Sequence, residues 1–101
     1  MISSMAKISF DYDGTISTAK GTELAQRYVE KGDQVYIVSA RSRRSGMLDK
    51  AEQVGILLSR VYATGSNKAK VEKIKQLNID KHYDNNPEVI KELGNVGVLF
   101  K

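Results

Sequence analysis

The stretch Lys7-Ile8-Ser9-Phe10-Asp11-Tyr12-Asp13-Gly14-Thr15 places two aspartates one residue apart, directly after a short apolar run. If that run is a strand, alternation turns both carboxylates to the same side of an extended backbone. Two like charges so placed repel unless a cation or a proton lies between them. A carboxylate pair at a rigid strand end is therefore suited to share a hard cation and to face a phosphate. Gly14 lets the chain turn away sharply, and Thr15 adds a hydroxyl and a backbone N–H. Folding alone accounts for this stretch less well than for any other in the chain.

Two simpler readings compete. Asp13-Gly14 between strand formers is a strong signal for a two-residue β-hairpin turn. A calcium-binding loop is the other, but its glycine would fall at the fourth position rather than the sixth, and its last ligand would be Thr22 rather than glutamate. The spacing excludes the calcium loop. The hairpin has to be judged against the elements around it.

Those elements alternate between strand and helix signals. Ala6 to Phe10 reads as a buried strand, and Thr22 to Lys31 as a helix with Leu24, Ala25, Tyr28 and Val29 on one face and Gly32 as its stop. Gln34 to Val38 is a second strand ending at Ser39; residues 45–53 form a helix with Leu48 and Ala51 inward, ended by Gly55. Ser59 to Ala63 is a shorter, half-polar strand expected near an edge. A helix from Asn67 carries Val71, Ile74 and Leu77, and Asn78 suits a left-handed cap. Lys81-His82-Tyr83 is a brief strand. Asn86-Pro87-Glu88 opens a helix holding Val89, Ile90 and Leu93, stopped by Gly94-Asn95, and Val96 to Phe100 is the last strand.

Five strands interleaved with four helices predict an α/β fold: a doubly wound, three-layer α/β/α sandwich on a five-stranded parallel sheet. In such sheets ligands bind beyond the carboxyl ends of the strands. Asp11 and Asp13 follow the first strand, Ser39 the second, Thr64-Gly65 the third and Asp84-Asn85-Asn86 the fourth. Acids, a hydroxyl and an amide pair thus converge on one rim. A parallel sheet also excludes the hairpin, because the chain after Thr15 must cross over as a helix.

Composition adds bounds. The 101 residues suit one domain, residues 1–101, with a single core. The absence of cysteine removes disulfides, thiol chemistry and zinc–thiolate sites. No apolar run is long enough to span a bilayer and the amino terminus lacks a secretory core, so the expected setting is cytoplasmic, with no membrane partner. A formal charge of +4 is a mild basic bias, compatible with phosphate-bearing ligands but no nucleic-acid signature.

With these residues in place, the chain resembles the haloacid dehalogenase (HAD) superfamily of aspartate-nucleophile phosphatases. The first motif of that superfamily, an apolar strand followed by DxDGT, stands here as Phe10-Asp11-Tyr12-Asp13-Gly14-Thr15. The second stands as Val35-Tyr36-Ile37-Val38-Ser39, followed by Ala40-Arg41. The third is a lysine, matched by Lys70 or Lys68. The fourth matches Tyr83-Asp84-Asn85-Asn86-Pro87. All four occur in order and span nearly the whole chain.

The resemblance implies a phosphomonoester hydrolase. Asp11 would attack phosphorus and form an aspartyl-phosphate, splitting hydrolysis into two easier steps. Asp13 would protonate the leaving alcohol and then activate water. Mg²⁺ would take oxygen ligands from Asp11, the Asp13 backbone carbonyl and Asp84, with waters and a phosphate oxygen completing the shell. Ser39 and the lysine would hold the phosphoryl oxygens, and backbone N–H groups around Tyr12 and Thr15 would add to the cradle.

Plainer roles stand beside these. A serine at a strand end is commonly a turn or cap residue, and Lys68, Lys70, Lys73 and Lys75 are commonly solvated helix charges. The register of Val71, Ile74 and Leu77 and the gap to Asp84 favour Lys70 over Lys68. Asp84 could cap the next helix, although Asn86 already fills that role. His82 reads as a packing or edge-strand residue. Arg41, Arg43 and Arg44 precede a helix, where they oppose its dipole; they are either a solvated loop or contacts for a substrate phosphate, Arg41 foremost.

Two departures shape the expectation. The usual second acid of the fourth motif is Asn85, which brings no charge to a cation. The segments after Thr15 and after Ser39 leave no room for an inserted cap domain. The expected protein is a capless HAD-like phosphatase, open to solvent and to large substrates unless a second copy of the chain covers the site. Openness, the arginines and the charge lean toward a phosphorylated small molecule such as a nucleotide, or a nucleic-acid end. A degenerate module that binds phosphate or a partner without turnover is the alternative. A receiver-like signalling domain fits less well, since its acceptor aspartate would follow the third strand, where Thr64-Gly65 stands.

Overall fold

The computed structural model describes residues 5–101. Its five strands are β1 (Lys7–Phe10), β2 (Gln34–Ser39), β3 (Val61–Ala63), β4 (Lys81–Asp84) and β5 (Gly97–Leu99). Four helices alternate with them: α1 (Ala19–Lys31), α2 (Met47–Val54), α3 (Asn67–Gln76) and α4 (Pro87–Leu93). The sheet is parallel throughout, in the order β3-β2-β1-β4-β5. The expected α/β sandwich is the observed one, with β3 at an edge. No helix is long and apolar enough to cross a membrane among the described residues.

Alternation along the strands builds two cores. Ile8, Phe10, Val35 and Ile37 face α1 and α2, joined by Ala25, Met47 and Ala51. Tyr36 and Val38 point the other way, into a cluster with Ile74, Val89 and Leu93 of α3 and α4. β2 and β1 are central and covered on both faces, so β2 is apolar at four successive positions, Val35 to Val38. Phe10 stacks on Tyr83 at 5.0 Å between ring centroids, tying β1 to β4. Fully burying a side chain such as Phe10 or Ile37 contributes about 2 kcal/mol each.

Element boundaries follow local chemistry. α1 begins at Ala19 rather than at the expected Thr22, because Thr18 caps it by accepting the Gly21 N–H at 3.0 Å. Gly21 therefore lies inside the first turn of α1. A Cβ there would lie 1.8 Å from the Thr15 carbonyl oxygen, a backbone atom that cannot step aside. Gly21→Ala is expected to cost roughly 3 kcal/mol, seen as a lower urea midpoint at unchanged slope. β3 starts at Val61, two residues later than expected, because Leu58–Arg60 forms a tight helical turn before it. α3 is capped by Ser66 and α4 by Asn86, with Pro87 in its first turn, and Asn78 takes the left-handed conformation foreseen for it (φ 58°).

The topology selects one place on the rim. The chain runs β1 to β2 to β3 in one direction, then returns to the other side of β1 for β4 and β5. The order reverses between β1 and β4. Side chains at the carboxyl ends of those two strands thus border the crevice where doubly wound sheets bind ligands.

Candidate active site

Asp11 and Asp84 stand at that point, one after β1 and one at the end of β4. Both are buried, Asp84 completely. Lys70, in the first turns of α3, is buried with them, and its Nζ donates to Asp11 Oδ1 and to Asp84 Oδ2, each at 2.9 Å. Lys68 instead lines a groove between α3 and α4 with Glu72, Glu88 and Glu92. Helical geometry separates the two lysines: Lys70 shares a face with buried Ile74, four residues on.

The charges are incompletely balanced. Burial pushes the Asp11 carboxyl above its usual range; Lys70 opposes that and Asp84 adds to it. Burial acts on Asp84 in the same sense, but hydrogen bonds from His82 and Lys70, the Lys70 charge and the Asn86 N–H outweigh it and hold Asp84 below the usual range. His82 is driven toward its neutral form, chiefly by burial. Two carboxylates therefore face one ammonium, and the cluster carries an excess of negative charge.

Asp13 is held by Arg41. After β1, residues Tyr12–Ile16 form a wide turn closed by Ile16 N–H to the Asp11 carbonyl and Ser17 N–H to the Tyr12 carbonyl, within which Asp13 keeps extended backbone angles (φ −66°, ψ 121°). Gly14 turns the chain at φ 76°, and its Cα hydrogens face Asn85, whose amide nitrogen would lie 2.3 Å from a Cβ there. The Asp13 side chain is 60% exposed, and both of its oxygens are taken by Arg41, Nε at 2.8 Å and Nη2 at 2.7 Å. Hydrogen bonds from that guanidinium hold the Asp13 carboxyl below the usual range. Arg41 also lies over the Tyr12 ring, 4.8 Å from its centroid.

The remaining predicted residues line the same rim. Ser39 is buried at the end of β2; its Oγ accepts the Arg41 backbone N–H at 3.0 Å, which leaves its own hydroxyl proton to be donated. The Thr15 Oγ1 is buried with no hydrogen-bond partner among the described residues, a polar atom that folding leaves unsatisfied. Tyr12 donates its hydroxyl to the Gly46 carbonyl at 3.3 Å. Arg44 reaches the Leu58 carbonyl at 3.1 Å and so braces a loop.

Two participants escaped the sequence reading. His82, taken there for a packing residue, bonds Asp84 Oδ2 through Nε2 at 2.8 Å and Ser9 Oγ through Nδ1 at 2.7 Å. The available signal was period two: His82 lies two residues before Asp84, and Ser9 two before Asp11, so each shares its acid's side of the sheet. The clasp of Asp13 by Arg41 had no such signal.

The donor set can be tested against a divalent cation. Among the described residues no three acidic or histidine side chains gather to hold an ion unaided. Two buried carboxylates with excess negative charge, beside a turn rich in backbone carbonyls, still form the partial oxygen shell that Mg²⁺ completes with waters and substrate oxygens. The residues fit that ion.

No protein-family model and no curated protein matches the sequence. Among solved structures, the fold is similar to that of a Vibrio cholerae protein provisionally named 3-deoxy-D-manno-octulosonate 8-phosphate phosphatase. The TM-score is 0.57 over 89% of this chain, at 16% identity, and this chain spans 63% of the length of that one. At that identity the likeness is one of fold.

Proposed function

We propose that this chain is a Mg²⁺-dependent phosphomonoester hydrolase of the HAD type, built without a cap domain. The observation that carries this reading is the Asp11–Lys70–Asp84 cluster, buried and net negative, at the switch point of a doubly wound sheet. Asp11, the Asp13 carbonyl and Asp84 would hold Mg²⁺. When bound, the ion neutralises charge between the anionic nucleophile and the anionic substrate.

Asp11 is the nucleophile. Lys70 holds its Oδ1, which leaves Oδ2 to attack phosphorus. The P–O bond to the alcohol breaks, the alcohol takes a proton from Asp13, and the phosphoryl group rests on Asp11. Water then attacks that group, giving its proton to Asp13, and free phosphate leaves. The Ser39 hydroxyl donates to a phosphoryl oxygen, and backbone N–H groups of Tyr12 and Thr15 add to the cradle. Arg41 has to move off Asp13 for acid–base work, and a substrate phosphate is the natural competitor for its guanidinium. The open rim and the Arg41–Arg44 loop favour a nucleotide or a nucleic-acid end as substrate, with a cytoplasmic setting and a second copy of the chain as a way to cover the site.

One observation favours a second reading. The Asp13–Arg41 pair and the neutral Asn85 also suit a module that binds phosphate or a partner without turnover. Release of nitrophenolate from 4-nitrophenyl phosphate, with Mg²⁺ and with EDTA, separates the two. Mg²⁺-dependent turnover is expected, together with accumulation of phosphoenzyme in Asp13→Asn and a fall in its turnover of about 10²- to 10⁴-fold. Wild-type turnover in that variant removes Asp13 from the chemistry. A folded wild type silent in excess Mg²⁺ leaves the binding module.

A further inference from the structure

His82 is fully buried in β4, on the face of the sheet covered by α3 and α4. Packing alone does not call for an imidazole there, since an apolar side chain of similar volume would fill the space. Both ring nitrogens are nevertheless engaged, Nδ1 by Ser9 and Nε2 by Asp84. Asp84 Oδ2 also accepts from Lys70, and Oδ1 accepts the Asn86 N–H at 2.9 Å. Every other partner of this carboxylate is a donor, so it acts as an acceptor, and Nε2 carries the ring proton. Ser9 Oγ lies 2.7 Å from Nδ1, and in that tautomer its hydroxyl donates to the bare ring nitrogen.

The hydrogen bonds therefore run in one direction: Ser9 to His82, His82 to Asp84, with Lys70 joining Asp84 to Asp11. The chain of bonds starts on β1 two residues before Asp11 and closes on Asp11 itself. We propose that His82, held in one tautomer by Ser9, is a positioning residue that orients the Asp84 carboxylate to hold the divalent cation. The inference rests on the phosphatase reading. Without the His82 donor, Lys70 alone would hold Asp84 Oδ2; the carboxylate could turn about its last bond and draw the ammonium away from Asp11.

Three variants test this: Ser9→Ala, His82→Gln and the double variant Ser9→Ala/His82→Leu. Each is followed by thermal unfolding, by calorimetric titration with Mg²⁺ alone, and by kcat and KM for 4-nitrophenyl phosphate. The double variant leaves buried Asp84 short of one donor and is expected to melt roughly 5–20 °C below wild type, while its Mg²⁺ Kd rises about 10- to 100-fold and kcat falls by a similar factor. KM moves little, because the aryl phosphate does not touch His82. His82→Gln, whose amide nitrogen can stand in for Nε2, recovers most of both losses. Ser9→Ala loses Mg²⁺ affinity in the same direction by a smaller factor.

A folded double variant with wild-type Kd and kcat overturns the inference and makes the pair a core filling. If the double variant does not fold, Ser9→Ala decides, and a wild-type Mg²⁺ Kd there overturns the role of the tautomer. A wild type that neither binds Mg²⁺ nor hydrolyses the ester overturns the phosphatase reading, and the inference with it.

Discussion

Asp11→Asn is expected to abolish Mg²⁺-dependent phosphate release and, in the same protein, to raise the melting temperature. The amide is no nucleophile toward phosphorus, so kcat should fall by roughly 10³-fold or more, as for loss of other covalent nucleophiles. The stability gain follows from the buried charges. Asp11 is a carboxylate whose burial and whose neighbour Asp84 raise its pKa in the folded chain. A group so raised favours folding below its unfolded pKa of 3.8, and that contribution is lost as pH rises through the higher folded value. At neutral pH in EDTA the ionised Asp11 therefore costs stability that the isosteric amide restores. If the gain is about 1 kcal/mol, Tm rises by roughly 4–8 °C in a chain of this size. The difference between variant and wild type should shrink toward acid pH, where Asp11 is protonated, and shrink in Mg²⁺, where a bound cation offsets the charge. A Tm below that of wild type at neutral pH in EDTA would contradict the assignment of net negative charge to the cluster.

Lys70→Met should have the largest effect on stability of any single exchange in the site. Methionine fills a similar volume, so packing is little disturbed, but Asp11 and Asp84 are then buried across from each other with no ammonium between them. Removing one partner from a buried ion pair costs about 3–5 kcal/mol, a large share of the roughly 5–15 kcal/mol that holds a domain of this kind. Urea denaturation in EDTA should show the loss as a lower midpoint. The double variant Asp11→Asn/Lys70→Met separates charge from packing, because it removes one of the two stranded carboxylates. It should be more stable than Lys70→Met alone by more than Asp11→Asn gains in the wild-type background, and that excess over additivity is the coupling. Equal stability of the two would place the cost in lost packing of the lysine stem.

The sequence by itself determined the order and type of the elements, because hydrophobic periodicity is set by which faces must be buried. Val35 to Val38 read as a strand covered on both sides; Val71, Ile74 and Leu77 read as one helix face, and that register picks out Lys70 over Lys68 before any fold is seen. The cap at Asn86 and the left-handed Asn78 are equally local. The convergence of Asp11, Ser39 and Asp84 on one rim follows from a parallel sheet alone. Boundaries were less legible where a contact overrode propensity: the sequence reading starts this helix at Thr22, yet Gly21 sits inside α1, where only a residue without Cβ fits against the Thr15 carbonyl.

The tertiary structure alone decided which polar groups meet. The pairing of Asp13 with Arg41 spans 28 residues, and that of Ser9 with His82 spans 73. Neither has a period, because each depends on how a turn and a loop, or two strands adjacent only in space, are brought together. Local sequence sets which side a residue faces while the chain stays extended; past Asp11 the chain enters a turn, and it is the loop after β2 that brings Arg41 to Asp13. Charge balance is decided in the same way. Asp11 and Asp84 are ordinary acids in sequence, and only burial against one shared ammonium makes the cluster an anionic site able to attract a cation and a phosphate.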